Sequence, residues 1–392
     1  MTARSDLRAG APDPAGSGAP DPADSALPNP ANLVCPAPIP ERARVLLGHG
    51  SGGQLSAALM REVIGPALAA GSGAAGSGAA GSGAADSAEA GPLNDAAVVE
   101  VAGQRLAFTT DSFVVSPLEF PGGDIGELAV NGTVNDLAMM GAQPLALSLA
   151  YVIEEGLPID ELRKVTESVA RAAGRAGVRI VTGDTKVVGR GAADGLFVNT
   201  AGIGLVAPGV VVGADRATVG DAIILSGPIG LHGIAVMSIR EGLDFEVEIA
   251  SDTQPLNVLV ATIVAACPDV HVLRDPTRGG LASALNEIAA ASGVGIELRE
   301  ERIPIPGPVH AACEMLGLDP LHVANEGKLV AFVPAASADA VLAAMRAVPE
   351  GAEAVGIGRV VADHPAMVTM RTIVGSQRIV DMLVGEQLPR IC

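Results

Sequence analysis

"GGDIGELAVNGTVNDLAMMGAQP", residues 122–144, reads as a single helix, and its surface decides how the rest of the chain is organised. Asp124 supplies an acceptor for the first free N–H groups, with the Glu127 carboxylate three residues on, and Gly141 and Pro144 mark the exit. Ile125, Leu128, Ala129 and Leu137 give an apolar surface, whereas Glu127, Asn131 and Asn135 recur at i, i+4 and i+8 beside Asp136. A helix fit for burial therefore carries one polar edge.

Working outward, residues 95–115 hold two apolar runs rich in Val and Phe around an Ala-Gly-Gln turn, which predicts paired strands. Downstream, "DELRKVTESVARAAGRAGVRIVTGDTKVV" predicts a charged helix feeding a strand, and "LFVNTAGIGLV" a further strand. The pattern restarts after Pro208 with "GDAIILSGPIGLHGIAVMSI", a strand, a Gly-rich turn and a helix. "PLNVLVATIVAAC" and "GGLASALNEIAAASG" read as helices and "GKLVAFVP" as a strand. This alternation is that of α/β or α+β layers, with a domain boundary at 208/209. The expected order is an N-terminal domain 41–208, a C-terminal α/β domain 209–384 and a mobile tail 385–392, which spans about 26–29 Å when extended.

Composition limits the function. The chain has 392 residues, enough for two cores, and 49% of them are hydrophobic. With one Tyr, six Phe and no Trp, the core must be aliphatic and base stacking is nearly unavailable. A net charge of −19 opposes a nucleic-acid partner. No apolar run approaches the ~20 residues of a membrane span, and the first thirty residues lack an apolar signal segment. Cys35, Cys267, Cys313 and Cys392 show no metal-binding spacing, which fits a reduced, cytoplasmic protein. Residues 1–40, rich in Ala, Pro, Gly and Asp, are expected to be a disordered tail, and "GSGAAGSGAAGSGAADSAEAG" at 71–91 a flexible insertion.

Several short strings carry chemistry. Asp95, Asp111, Asp136, Asp184 and Asp275 sit beside small residues or at element ends. Dispersed carboxylates of this kind suit Mg²⁺ and phosphate chemistry, though Asp also favours turns and N-caps. "HGSGG" at 49–53 bares Gly50, Ser51, Gly52 and Gly53, whose N–H groups can cradle a phosphate. "SGPIGLHG" at 226–233 turns from strand into helix and places His232 where it can meet a phosphate or serve the core. Lys186 near Asp184 either neutralises a phosphate, acts as a base with a pKa depressed by burial, or is a solvated surface charge. Glu326 in "ANEGK" is either a general base or a turn residue, while Cys267 and Cys313 read as core.

Taken in order, "HGSGG", "TDSFVVSPLEFPGGDIGELAVNGTVNDLAMMGAQPLALS", "GDTKVV", "DPTRGGLASALNEIA", "LGLDPLHVANEGKLV" and the closing "LPRIC" resemble the HypE family of hydrogenase maturation carbamoyl dehydratases. The resemblance covers about 41–392 apart from the GSGAA stretch. That family is similar to the aminoimidazole ribonucleotide synthetase (PurM-like) superfamily. The resemblance implies two α/β domains, with the N-terminal domains of a homodimer pairing into a shared β-barrel. It implies ATP held by Gly50–Gly53, Asn135, Asp184 and His232, and Mg²⁺ held by Asp95, Asp111, Asp136 and Asp275. Cys392 would carry a thiocarbamate from the carbamoyltransferase HypF, with Lys186 and Glu326 as bases. A HypC–HypD complex would receive the cyanide. Two other readings stay open: another ATP-dependent kinase or synthetase of the superfamily, which leaves the closing cysteine unexplained, and a non-catalytic thiol carrier.

Overall fold

The computed structural model describes residues 44–72, 94–243, 247–383, 385, 388 and 390–392. The expectations for residues 1–40 and for most of 71–91 lie outside these residues; Gly71 and Ser72 belong to a helix. Helix α1 (Gln54–Leu59) runs through a π-helical turn (Met60–Ile64) into α2 (Gly65–Ser72).

Strands β1 (Ala97–Val101) and β2 (Gln104–Phe113) form the expected hairpin. Its two turn residues, Ala102 and Gly103, both take positive φ, which matches the right-handed twist of the strands. The short β3 (Glu119–Phe120) and β4 (Gly123–Asp124) lead into α3 (Ile125–Met139). There the Asp124 carboxylate accepts from the N–H groups of Gly126 (2.8 Å) and Glu127 (3.0 Å). Glu127 does not reach back to close a capping box; it pairs with Arg175 on α4 (Ile159–Ala176). Of the fifteen residues of α3 only Glu127 and Asp136 are not fully buried. Gly132 lets the helix approach β2, since a Cβ there would lie 2.9 Å from the Phe113 ring.

With β5 (Ala142–Glu154), β6 (Arg179–Val188) and β7 (Leu196–Val206), the first sheet runs β1-β2-β7-β5-β6 and is open, with β1 and β6 as its edges. The second half supplies β8 (Ala222–Leu225), α5 (Leu231–Arg240), α6 (Asn257–Ala266), β9 (Val272–Arg274), α7 (Gly280–Ser292) and β10 (Gly295–Arg299). It continues with α8 (Gly307–Leu316), β11 (Val330–Val333), α9 (Ala338–Arg346), β12 (Val355–Val361), β13 (Met367–Arg371) and β14 (Gln377–Val380). Its seven strands run β14-β13-β10-β12-β8-β11-β9, antiparallel except for β10 with β13.

One aliphatic core joins the halves: Val134, Leu137 and Leu147 from the first pack in the same cluster as Ile224, Leu259 and Leu329 from the second. Helix α3 packs on the first sheet and against α6 of the second half, and from its polar edge Asn131 and Asn135 reach Thr253, Gln254 and Glu326 of the second half. Cys267 and Cys313 lie in the apolar interior, as the sequence predicts. Among the described residues no helix is long and apolar enough to cross a membrane.

Candidate active site

Four strand or helix ends converge beside that polar edge. Asp95 lies just before β1, Asp111 on β2, Asp136 on α3 and Asp275 directly after β9. They line one cavity of about 230 Å³ together with Glu326 and Cys392. Carboxylate oxygens of Asp95, Asp136 and Asp275 come within 4.8 Å of one another. The Thr109 hydroxyl donates to Asp136 Oδ2 (2.9 Å), and Arg274 Nε pairs with Asp95 (3.0 Å) while its other arm reaches Glu287 (2.5 Å).

So much buried negative charge is costly. Burial pushes the Asp95 carboxyl up to about 6 despite Arg274. Asp136 is held well above the carboxylate range by burial and then by the neighbouring Asp275 and Asp95 charges. Asp275 is raised likewise, by burial and then by Asp95. The lining residues offer two guanidinium groups, Arg274 and Arg278, against this set. Three converging oxygen donors with too little positive charge form a donor set suited to a hard divalent cation.

Glu326 approaches from the second half. Its backbone is fixed on both sides: its N–H donates to Asp252 Oδ1 (3.1 Å) and its carbonyl accepts from Asn135 Nδ2 (3.2 Å). Its side chain is buried, Oε1 has no hydrogen-bond partner among the described residues, and burial raises its pKa well above the ordinary value. Cys392 enters from the far end of the sequence, only 9% exposed, with a main-chain oxygen accepting from the Val114 N–H (3.0 Å). Burial pushes its thiol up to about 12, and the Arg278 charge opposes that rise. The described end of the expected mobile tail is therefore seated in the fold; Ile391 is 2% exposed.

Other expected site residues are placed differently. Asn135 spends its amide inside the protein: Nδ2 donates to the carbonyls of Gln254 (3.1 Å) and Glu326, and Oδ1 accepts from the Leu256 N–H (2.7 Å). It ties α3 to the second half and has no N–H left for a phosphate. His232 is completely buried, with Nδ1 2.8 Å from Ser251 Oγ and Nε2 3.0 Å from the Ile391 carbonyl, so it faces the tail. Asp184 and Lys186 form an exposed pair on β6 (2.6 Å) and do not line the cavity.

Gly50 and Ser51 line a smaller space, about 170 Å³, with Arg278, Ile391 and Cys392. Gly52 has φ +76°, and a Cβ there would meet the Arg278 carbonyl at 2.6 Å. The Gly52 N–H donates to Ser56 Oγ (3.0 Å) and that of Gln54 to the Leu383 carbonyl (2.9 Å). Ser51 Oγ donates to the Gly48 carbonyl (2.8 Å), and Gly53 packs against the Leu383 carbonyl. Part of the expected phosphate cradle is thus occupied by the chain itself.

Sequence reading passes over Arg278, which donates to the Gly50 carbonyl (3.1 Å) and lines the same cavity as Cys392, Asp111 and Glu326. The only signal for it was its place three residues after Asp275 in "DPTRGG". Thr109 and Asp252 carried no signal of their own.

Comparison with known proteins gives the context for this geometry. Residues 93–206 match the family "AIR synthase related protein, N-terminal domain" and residues 218–370 "AIR synthase related protein, C-terminal domain". Carbamoyl dehydratase HypE of Cupriavidus necator is 52% identical over 354 residues, covering 89% of this chain and 95% of the relative. A crystal structure of hydrogenase maturation protein HypE in complex with ATP is similar with a TM-score of 0.72 at 45% identity, covering 89% of this chain and 100% of that one. A HypE–HypF complex structure is similar at TM-score 0.71 and 49% identity, covering 74% and 93%. This similarity, along nearly the full length of the relatives, shows that the chain belongs to the HypE family of hydrogenase maturation carbamoyl dehydratases, within the AIR synthase-related, PurM-like superfamily.

Proposed function

We propose that this protein dehydrates a carbamoyl group carried as a thiocarbamate on Cys392 to a thiocyanate at the expense of ATP, supplying the cyanide ligand of a [NiFe]-hydrogenase iron centre. The observation that carries this reading is the Cys392 thiol in the same cavity as the Asp95–Asp136–Asp275 carboxylates. A relative crystallised with ATP and another crystallised with HypF support the nucleotide and the donor. A HypC–HypD complex is the proposed acceptor and the cytoplasm the proposed compartment.

An amide oxygen is a poor leaving group. In the proposed sequence the carbamoyl oxygen bonds to the γ-phosphorus as the bond from that phosphorus to ADP breaks. The C–O bond then breaks, inorganic phosphate leaves, both protons depart from nitrogen, and a C≡N group remains on sulfur. Asp95, Asp136 and Asp275, with Asp111 beside them, would hold Mg²⁺, which spreads the charge of phosphoryl transfer. Arg278 stabilises negative charge between the carboxylates and the sulfur. Glu326 takes a nitrogen proton; its raised pKa makes the ionised form a stronger acceptor.

The homodimer is proposed from the first sheet. Phe108 and Ile203 stand directly opposite each other on β2 and β7 and are 48% and 42% exposed, an apolar face suited to a second sheet and a shared barrel. Lys186 remains a candidate base only in that dimer, where the edge strand β6 would lie next to the second copy.

Cys392→Ala tests the carrier role. The variant should fold and bind ATP like the wild type yet release no ADP in response to the carbamoyl donor. Donor-stimulated ADP release at the wild-type rate would show that the carbamoyl group is activated elsewhere.

A further inference from the structure

Residues 390–392 are gripped by their backbone. The Arg390 carbonyl accepts from Arg240 Nη2 (2.7 Å) and the Ser116 N–H (3.4 Å), and a main-chain oxygen of Cys392 accepts from the Val114 N–H (3.0 Å). Between them the Ile391 carbonyl lies 3.0 Å from His232 Nε2. His232 is the one donor of this set that is a wholly buried side chain, and its ring is held edge-on against Phe120, with centroids 5.3 Å apart.

A carbonyl can only accept, so Nε2 must carry the hydrogen. Burial lowers the imidazole pKa, which leaves the ring neutral and Nδ1 a bare acceptor. Ser251 Oγ, 2.8 Å away, therefore donates to Nδ1, and itself accepts from the Thr253 N–H (3.2 Å). The hydrogen bonds run in one direction, from Thr253 through Ser251 and His232 to Ile391, and this order fixes the tautomer.

We propose that His232 is the positioning residue of the carrier arm: its Nε2–H, oriented by Ser251, latches the Ile391 carbonyl and so sets the Cys392 sulfur in the cavity of Asp95, Asp136 and Asp275. The peptide plane whose carbonyl is held is the one that leads into Cys392, so fixing that oxygen fixes the cysteine N and Cα as well. The grip is on main chain and is indifferent to what the sulfur bears. A carrier that docks with one group and leaves with another needs that indifference. The proposal rests on Cys392 as the loaded residue, but its test uses no carbamoyl chemistry, so the latch and the reaction can fail separately.

The test is the rate of iodoacetamide alkylation of Cys392 in the full-length protein, read by peptide mass spectrometry in wild type, His232→Leu and His232→Gln. Cys267 and Cys313, buried in the core, report any general loss of fold in the same sample. Leucine cannot donate and leaves a buried carbonyl unpaired; Cys392 alkylation should rise by about tenfold. Glutamine places an N–H near the Nε2 position and should bring the rate back to within about threefold of wild type. A leucine variant as slow as wild type, or a glutamine variant as fast as the leucine one with the core cysteines protected, overturns the latch. Should leucine expose the core cysteines, Ser251→Ala decides. It keeps the ring but removes the hydroxyl that orients it, so a rise of about twofold or more supports the proposal and an unchanged rate overturns it.

Discussion

Glu326→Gln should make the metal-free, nucleotide-free protein more stable and the enzyme inactive at once. The side chain is buried, Oε1 lacks a hydrogen-bond partner among the described residues, and the pKa stands well above the ordinary carboxylate value because of burial and the Asp275 and Asp252 charges. The backbone of residue 326 is held through its own N–H and carbonyl, so exchanging the side chain leaves its anchors in place. A carboxyl whose folded pKa is raised stabilises the fold fully below the unfolded value, and that contribution is lost as pH rises through the folded pKa. Glutamine does not titrate. The stability gap in favour of the variant should therefore open above about pH 4.5, growing by at most about 1.4 kcal/mol per pH unit until the folded pKa is reached. Between pH 5 and pH 7 the limit is about 2.7 kcal/mol, or about 4 °C in melting temperature for a folded body of this size. Paired denaturation curves in EDTA at several pH values measure the gap, and donor-stimulated ADP release measures activity. A gap that does not change with pH, or a wild type more stable than the variant at pH 7, would refute the reasoning.

Asp136→Asn keeps an acceptor for the Thr109 hydroxyl but removes one charge from the three converging carboxylates. Without metal its melting temperature should match or exceed wild type, while the extra stabilisation given by Mg²⁺ together with a non-hydrolysable ATP analogue should weaken at least about tenfold in apparent metal affinity; an unchanged Mg²⁺ titration would return Asp136 to a structural role. Asn135→Ala leaves the Gln254 and Glu326 carbonyls and the Leu256 N–H without their side-chain partner, so it should cost about 3 kcal/mol or more in denaturant unfolding, and a loss below about 1 kcal/mol would show that water replaces the amide.

Local signals in the sequence locate the elements well. The Asp124 cap, the hairpin around Ala102 and Gly103 and the passage from the charged helix into the strand that carries "GDTKVV" are all decided within a few residues of themselves, and the structure has each of them. The polar edge of α3 was also legible, because Glu127, Asn131, Asn135 and Asp136 share it by helical spacing alone. What the edge is for was not legible. Asn135 and Asp136 are adjacent, yet one clamps backbone from residues 254, 256 and 326 and the other faces the cavity, and only the docking of the second half separates those roles. His232 illustrates the same limit. A Gly-rich turn into a helix suggests a phosphate, whereas the partner that takes the imidazole lies 159 residues away in the tail. Arg278 was missed because an arginine after a turn has no local signature; its meaning comes from Cys392, Asp111 and Glu326, which arrive from three other parts of the chain.

The most direct measurement is the intact mass of the wild-type protein, first after incubation with HypF and a carbamoyl source, then after addition of Mg·ATP. The mass should rise by one carbamoyl group on Cys392 before ATP is added, then fall by one water with release of one phosphate per chain. Retention of the full carbamoyl mass while ATP is consumed, or its attachment at a residue other than Cys392, would contradict the proposed dehydration.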